Sequence, residues 1–340
     1  MSLITLVSSH EQANGIAVIF FLISFSAVTS WLLLYMLLPW LRVYILAQPT
    51  SRSSHKRPTP VGGGLVFVVL SSIVSFFSIF LLDTPSLSES PLLFAPLLAL
   101  PLAIVGFLDD CYSLPVILRA SVQFSTSCAF ILVGSPVIPC LNNLPFLVLI
   151  AISISAIINC ANFMDGLDGL LAGCMTVVIS VAAFRLSSPL PIWALIGSML
   201  GFLFWNWSPA KVFMGDVGST FLGAVFALIV FQAPTWSEAL SLLLVATPLL
   251  ADAGFCIFRR LLANQPIFQP HNLHLFQRLH QAGLSHSIVS MLYIAATLVL
   301  ATALFLNGLP GAVAASAAVI LFGIFLDIHV ATPFVVPSQE

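Results

Sequence analysis

Long apolar runs follow one another along almost the entire chain and leave little choice of fold class. Each run approaches the roughly 20 apolar residues that cross a bilayer as a helix. With 60% hydrophobic residues and a mean hydropathy of +1.12, a soluble domain could not bury the apolar surface. Because the bilayer interior offers no water to backbone polar groups, the spans must be helices. The runs lie near residues 16–40, 61–82, 91–108, 116–134, 144–160, 170–185, 190–206, 219–233, 238–257, 287–306 and 311–330.

These runs predict an all-α polytopic membrane protein with about 10–11 transmembrane helices, in a single domain over residues 1–340. Eleven spans result if every run crosses the membrane, and ten if one short run is re-entrant. With eleven spans, nine of the ten basic residues fall on one side, and only Arg185 falls on the other. By the positive-inside rule that side is cytoplasmic, and the N-terminus lies outside. The nine are Arg42, Arg52, Lys56, Arg57, Arg119, Lys211, Arg259, Arg260 and Arg278.

Charge and cysteine usage narrow the function classes. The net charge of −2 gives no sign of a nucleic-acid partner. Six cysteines are scattered without a CxxC pair, and most lie in apolar runs, where a thiol behaves as a small hydrophobe. This spacing argues against a disulfide framework and against a zinc site.

The polar segment Ile158–Leu170, INCANFMDGLDGL, interrupts the apolar sequence near its middle. Asn159, Asn162, Asp165 and Asp168 recur every third residue, so a helix end could direct several of them to one site. A polar loop with Asp-Gly turns is the simpler interpretation. Other polar segments at the same membrane face favour the interpretation of this segment as part of a functional site.

Two further segments add carboxylates at that face. Asp109 and Asp110 end the third run, where adjacent carboxylates near lipid are costly without a cation. Their mutual repulsion suits a proton acceptor. Asp216 lies between two glycines in FMGDVGS, in a loop whose other charge is Lys211. Oxygen ligands close to phosphate favour Mg²⁺ or Mn²⁺.

Basic and histidine-rich segments supply groups for an anion. Lys56 and Arg57 precede three glycines, a pattern that indicates either phosphate binding by cations and backbone or a positive-inside anchor on anionic lipid. The last inner loop holds His271, His274 and Arg278. Hydrogen-bonding and cationic groups that face a diphosphate fit this loop better than a zinc site does.

Together these segments indicate phosphoryl transfer between a nucleotide-activated donor and a membrane-bound acceptor. A transporter or lipid flippase is the alternative, but it would place ionisable residues inside the spans, which carry few. A catalytically silent scaffold of envelope assembly is the third hypothesis.

Two motifs, NxxNxxDGLDGL and FMGDVGS, match a known family, and the Asp pair and the glycine run support the match. On these residues, from about Ser51 to His286, the chain resembles the polyprenyl-phosphate N-acetylhexosamine-1-phosphate transferases of glycosyltransferase family 4. The resemblance implies transfer of a sugar-1-phosphate from a UDP-N-acetylhexosamine to undecaprenyl phosphate, with Mg²⁺ and release of UMP. It implies a bacterial inner-membrane protein whose active site is built from cytoplasmic loops, and it leaves a homodimer open.

The resemblance also implies residue roles. Asp216 corresponds to the metal ligand, assisted by Asn162, and Asp109 and Asp110 handle the acceptor phosphate, with Asp109 as candidate base. Asp165 and Asp168 match catalytic positions near the metal or the uridine. Substrate-binding positions are assigned to Lys56, Arg57, Asn159, Lys211, His271, His274 and Arg278.

The donor sugar depends on the last loop. Relatives that use UDP-N-acetylglucosamine often carry an HxHHR-like string, where this chain reads His274, Leu275, Phe276, Gln277 and Arg278. The pattern resembles a subgroup that initiates O-antigen-type glycans, in which some members use 6-deoxy sugars such as fucosamine or quinovosamine. The resemblance therefore implies N-acetylglucosamine or a 6-deoxy-N-acetylhexosamine as the sugar.

Overall fold

The computed structural model describes residues 3–48, 57–81, 86–87, 90–134, 144–265 and 271–334; Lys56 lies outside these residues. The described chain is helical apart from its connections and one short β-ribbon. In chain order the helices are α1 (Leu3–Tyr44), α2 (Leu65–Leu81), α3 (Ala95–Tyr112), α4 (Val116–Val133), α5 (Leu144–Phe163), α6 (Leu170–Arg185), α7 (Leu190–Asn206), α8 (Asp216–Phe231), α9 (Trp236–Val245), α10 (Thr247–Leu262), α11 (Leu275–Gln281) and α12 (His286–His329).

The all-α polytopic fold is confirmed. Within the described residues, five helices can cross a membrane by length and composition: Gly15–Tyr44, Ala95–Tyr112, Val116–Val133, Leu144–Phe163 and His286–His329. The bent pair α9 and α10 would make a sixth, and four further apolar helices are shorter: Leu65–Phe80, Leu170–Arg185, Leu190–Asn206 and Asp216–Phe231. Each of the eleven predicted apolar runs overlaps one of these segments, and α12 accounts for two of the runs.

Helix α12 is a hairpin of two antiparallel halves. A straight helix of 44 residues would be about 66 Å long. Instead, Gly308 adopts φ 61° and ψ −151°, which breaks the helix. The amide of Thr332 donates to the carbonyl of Arg278 at 3.3 Å, so the chain returns to the level at which α12 begins. Glycine is suited to this point because side chains disfavour a positive φ.

The ninth predicted span, 238–257, is not straight. Helices α9 and α10 meet at an angle of 80° around Ala246. Pro248 lies in the first turn of α10 and lacks the N–H that a continuous helix would use to bond Leu244. The freed Leu244 carbonyl instead accepts a hydrogen bond from the Thr247 hydroxyl at 2.6 Å. The apolar run gave no sign of this bend, which forms where a side chain replaces a local backbone bond.

Helix α8 forms the centre of the bundle. Every residue from Phe221 to Phe231 is buried, and α8 packs against α3 and α5. Small residues allow the close approach, as is common between membrane helices. A Cβ at Gly64, just before α2, would lie 2.5 Å from the Cα of Gly218, and one at Gly106 would lie 2.4 Å from the Asp216 carbonyl oxygen. This packing fixes the position of the first turn of α8, where Asp216 lies.

Candidate active site

A cluster of charged side chains forms where α3, α4, α5 and α8 meet at one end of the bundle. Asp216, the first residue of α8, accepts a hydrogen bond from the amide nitrogen of Asn162 at 2.9 Å. Arg119, in the first turn of α4, lies 2.5 Å from Asp109 and 3.4 Å from Asp216. The amide of Leu114 donates to Asp109 at 2.6 Å. Residues about 100 positions apart in sequence thus share one site.

Asp110 has a different environment from its neighbour Asp109. Its two carboxylate oxygens accept the backbone N–H groups of Asp216 at 2.9 Å and of Val217 at 3.3 Å. A carboxylate there satisfies the first donors of α8 and interacts favourably with the positive end of the helix dipole. The structure therefore gives Asp110 a positioning role toward Asp216, and its predicted catalytic role remains a prediction.

The loop between α5 and α6 brings two more carboxylates to this end of the bundle. Burial, together with the nearby charges of Asp216 and Asp168, raises the pKa of Asp165 to about 7 against the opposing hydrogen bond from the Gly215 amide. A carboxyl poised near neutral pH is typical of functional sites. Asp165 therefore extends the carboxylate cluster around Asp216.

Asp168 is held on several sides. Its carboxylate accepts the Ala210 amide at 3.1 Å and lies 3.1 Å from the His286 ring. Burial opposes ionisation of Asp168, but His286 and the Ala210 amide outweigh it and hold the pKa of Asp168 below its ordinary value. Next to Ala210, the exposed Lys211 places its ammonium 5.0 Å from the centre of the Trp205 ring. Lys211 is thus near Asp168, as a substrate-binding role requires.

The glycine run before α2 has a structural role. The amides of Gly63 and Gly64 donate to the carbonyls of Phe213 and Met214, both at 2.9 Å. The N–H groups of Gly63 and Gly64 thus bind the segment before Asp216, and the predicted approach of this backbone to phosphates remains a prediction. Arg57 is exposed at the start of this segment, so its role in anion binding remains a prediction.

Asn159 lies one turn before Asn162 on α5, with an exposed side chain. The three-residue spacing rotates it away from the buried side of the helix. The structure brings Asn162, Asp165 and Asp168 to the site and leaves Asn159 at its edge, where substrate contact remains a prediction.

The last loop is anchored by a buried carboxylate that the sequence analysis missed. Asp252 of α10 accepts the backbone N–H groups of Leu275 at 2.7 Å and Phe276 at 3.1 Å, and the Tyr293 hydroxyl at 2.6 Å. His274 precedes α11 with its Nδ1 3.6 Å from Asp252. Burial alone would lower the pKa of His274, but Asp252 outweighs it and raises this pKa to about 9.

His271 lies beside His274, with ring centres 4.9 Å apart. Burial and the neighbouring positive groups His274 and Arg260 lower the pKa of His271 to about 4, so its ring is neutral at pH 7. Phe163, which follows Asn162, contacts the His274 ring at 6.2 Å between centres. The last loop is therefore adjacent to the carboxylate cluster.

Arg278 is buried, with 3% of its surface exposed. Its guanidinium binds Asp327 of α12 and donates to the Thr332 carbonyl at 2.8 Å. Asp327 also binds Arg259 at 2.5 Å. These contacts tie α11 to the end of α12 and occupy the groups that a diphosphate would need. The structure favours a structural role for Arg278, and its predicted substrate contact would require these bonds to break.

The charge balance fits a bound divalent cation. Asp109, Asp110 and Asp165 lie around Asp216, and Arg119 pairs with Asp109 and Asp216. Four carboxylates at a half-buried site are costly with one guanidinium as counter-charge. Their oxygens are the hard ligands that Mg²⁺ prefers.

Three residues of the site were not predicted as functional: Arg119, Asp252 and Asp327. Arg119 was considered only as a topology signal. Asp252 and Asp327 are single charges inside predicted spans, and an ionisable residue within a membrane segment is a signal that could have identified them.

Comparison with known proteins points to the same family as the sequence motifs do. Residues 92–233 match the family model of glycosyl transferase family 4. The chain is 30% identical over 269 residues to a protein of Bacillus subtilis (strain 168) named "Probable undecaprenyl-phosphate N-acetylglucosaminyl 1-phosphate transferase", an alignment that covers 72% of each chain.

Two further relatives carry related names. A phospho-N-acetylmuramoyl-pentapeptide-transferase of Streptococcus pneumoniae serotype 19F (strain G54) is 31% identical, over 62% of this chain and 73% of the relative. A decaprenyl-phosphate N-acetylglucosaminephosphotransferase of Mycobacterium leprae (strain TN) is 30% identical, over 74% of each chain.

Proposed function

This chain belongs to glycosyl transferase family 4, among the polyprenyl-phosphate N-acetylhexosamine-1-phosphate transferases, and from that premise we propose its reaction and its substrates. The protein transfers an N-acetylhexosamine-1-phosphate from a UDP-N-acetylhexosamine to undecaprenyl phosphate and releases UMP. The observation that supports this best is the meeting of Asp109, Asn162 and Asp216 at one end of a membrane-embedded bundle.

The reaction is a displacement at the β-phosphorus of the donor. An oxygen of the acceptor phosphate forms a bond to this phosphorus, and the bond to the oxygen that bridges the two donor phosphates breaks. UMP leaves with that bridging oxygen, and the bond between the sugar and its phosphate stays intact. Such a reaction depends mainly on positioning and on stabilisation of charge on the phosphate oxygens.

Asp216 and Asn162 would hold Mg²⁺, and Asp165 would contribute negative charge next to it. Mn²⁺ has the same preference for oxygen ligands. When bound, the cation neutralises charge that develops on the transferred phosphate. Asp110 supports this arrangement because its carboxylate binds the amide of Asp216 and so fixes the first turn of α8.

Asp109 and Arg119 lie on the α3–α4 side of the cluster and are assigned to the acceptor phosphate. The second ionisation of a phosphate monoester has a pKa near 6, so the acceptor is largely dianionic at neutral pH. Removal of a proton by Asp109 would then be needed only for the monoanionic fraction. The paired guanidinium of Arg119, which is 39% exposed, can meet the acceptor phosphate.

The donor is assigned to the side formed by Asp168, Lys211 and the last loop. Lys211 is exposed near Asp168 and can reach a phosphate. His271 and His274 lie next to Phe163 at the other edge of the cluster. The sequence of this loop favours N-acetylglucosamine or a 6-deoxy-N-acetylhexosamine, such as N-acetylfucosamine or N-acetylquinovosamine, and a product that initiates a cell-envelope glycan such as O-antigen.

The protein is proposed to lie in the bacterial inner membrane with this site facing the cytoplasm. The distribution of basic residues supports that orientation: Arg57, Arg119, Lys211 and Arg259 lie at the site end or its approaches, whereas Arg185 pairs with Glu238 at 2.6 Å where α6 ends and α9 begins. A UDP-sugar made in the cytoplasm would then reach the site directly.

A donor panel tests the proposal. Membranes that contain the full chain are given undecaprenyl phosphate, Mg²⁺ and one UDP-N-acetylhexosamine at a time, and released nucleotides are separated and quantified. UMP release with one donor is expected, with loss in Asp216→Asn, which keeps the size of the side chain. Unchanged turnover in this variant would overturn the assignment of Asp216.

A further inference from the structure

Three metal-binding side chains that are separated in sequence converge beside the carboxylate cluster. One ligand atom each from Cys256 of α10, His271 and His274 lies within 4.8 Å of the other two. Cys256 and His274 are buried, with 3% of each residue exposed, and His271 is half-buried. The sequence argued against zinc because it has no paired spacing, but the fold brings the cysteine to the histidines.

The His274 ring has the environment of a metal ligand. Its buried Nδ1 has no hydrogen-bond partner in the described residues, and the nearest carboxylate oxygen, of Asp252, is 3.6 Å away. A nitrogen of this ring lies within 4.8 Å of the Cys256 sulfur. Histidine ligands usually direct one ring nitrogen to the metal and the other to a carboxylate, which fixes the orientation of the ring.

Asp252 is itself held rigidly for this role. It accepts two backbone N–H groups at the start of α11 and the Tyr293 hydroxyl. Such fixed outer partners are what metal sites use to orient their ligands. The Asp252 carboxylate and a Cys256 thiolate would carry two negative charges beside the positive charges of Arg259 and Arg260, and a bound metal ion would displace the proton of the His274 ring.

We propose that Cys256, His271 and His274 form a binding site for one Zn²⁺-class cation, with Asp252 as the carboxylate that orients His274. Thiolate and imidazole ligands select zinc over Mg²⁺, so this site is chemically distinct from the oxygen cluster around Asp216. Three protein ligands leave a fourth position open. Bound zinc would fix the segment that begins at His271 against α10.

The geometry requires only a small closure. Ligand atoms that share a tetrahedral zinc lie about 3.3–3.6 Å apart, from zinc bond lengths of about 2.0–2.3 Å. Because the ligand atoms lie within 4.8 Å of one another, they need to approach by at most about 1.2–1.5 Å. His271 can supply this movement because it lies in a non-helical segment and is half-buried.

A largely apolar cavity of about 430 Å³ between α10, α11 and α12 borders the Cys256 side of the site. Cys256 and Asp252 line it, together with Leu273. The thiol therefore faces open space, although its surface is nearly covered.

Cobalt binding tests the proposal directly. Purified full-length chain with a histidine-free tag is stripped of metal and titrated with Co²⁺ alone. We expect one Co²⁺ per chain with thiolate-to-cobalt charge-transfer absorption, displaced by Zn²⁺ and unaffected by excess Mg²⁺. Cys256→Ser should abolish this absorption, and His271→Ala should weaken Co²⁺ binding at least tenfold. Matched controls Cys160→Ser and His329→Ala should bind like the wild type.

Persistence of the absorption in Cys256→Ser, or the absence of stoichiometric binding to the wild type, would overturn the zinc site. If Cys256→Ser does not fold, alkylation of the wild type replaces it. Zn²⁺ should slow the labelling of Cys256 about tenfold or more without changing that of Cys160, and equal slowing of both would contradict the proposal.

The outcome can be distinguished from that of the transferase proposal, although both involve the last loop. Asp216→Asn should keep the cobalt absorption, since it alters the other site. Intact cobalt binding without UMP release from any donor would count against the proposed reaction alone. Normal UMP release without cobalt binding would count against the zinc site alone.

Discussion

The close backbone contact between Gly64 and Gly218 gives the sharpest prediction. A Cβ at Gly64 would lie 2.5 Å from the Cα of Gly218, 2.8 Å from its nitrogen and 3.0 Å from the Met214 carbonyl oxygen. Optimal carbon contacts are about 3.5–4.0 Å, so Gly64→Ala must displace the start of α8 by about 1 Å. All three neighbours are backbone atoms and cannot rotate away.

The expected cost of Gly64→Ala in free energy of unfolding is about 3 kcal/mol, the upper part of the range for overpacked cores. Because α8 begins with Asp216, the same displacement should lower UMP release per folded molecule by about 10–100-fold, as misplacement by about 1 Å can do. The control is Gly254→Ala on α10, where a Cβ meets nothing within 4 Å. Alanine there should stabilise the helix by about 0.5–1 kcal/mol.

Thermal unfolding of both variants in detergent, followed by tryptophan fluorescence, measures the first effect, and nucleotide release by the folded fraction measures the second. A Gly64→Ala protein that melts with the wild type and keeps full UMP release would refute the packing argument. A lower melting temperature with unchanged release per folded molecule would refute the link from α8 packing to Asp216.

Three further variants test other parts of the account. Arg119→Gln should lower UMP release about tenfold or more because it removes a charge-assisted contact to Asp216, whereas Arg185→Gln, at the other end of the bundle, should leave release unchanged. In metal-free buffer the free energy of unfolding of the wild type should fall as pH rises from about 4 to 7. The cause is that the folded state keeps a proton on Asp165 that the unfolded state has lost. Asp165→Asn should reduce this dependence on pH, as measured by thermal unfolding. Asp327→Asn should destabilise the chain by about 3 kcal/mol, because it leaves two arginines without their carboxylate.

Each of these has a clear contrary result. Equal loss of UMP release in the two arginine variants would point to general destabilisation rather than a site contact. An unchanged pH slope in Asp165→Asn would assign the proton to another group. An Asp327→Asn protein that melts like the wild type would remove the argument that this carboxylate ties α11 to α12.

Sequence alone was sufficient for the helices because their signal is local. An apolar run must become a helix in a bilayer whatever surrounds it, and all eleven runs do so. The bend at Ala246 was missed because it depends on one lost backbone bond at Pro248, within a run that stays apolar on both sides. Composition does not distinguish a bent span from a straight one.

The site was predictable in its residue types and less so in its pairings. Asp216 and Asn162 were expected together and lie in hydrogen-bond contact. The different roles of Asp109 and Asp110 could not be predicted, because they depend on which of the two carboxylates binds the first turn of α8. Cys256 gave no sequence signal, since α10 must bend and the last loop must fold back before the thiol meets the histidines.

The nucleotide released with undecaprenyl phosphate as acceptor tests the central claim most directly. Displacement at the β-phosphorus predicts UMP and an undecaprenyl diphospho-sugar, formed in equal amounts and lost together in Asp216→Asn. Release of UDP would mean that the sugar–phosphate bond breaks, and it would contradict the proposed reaction.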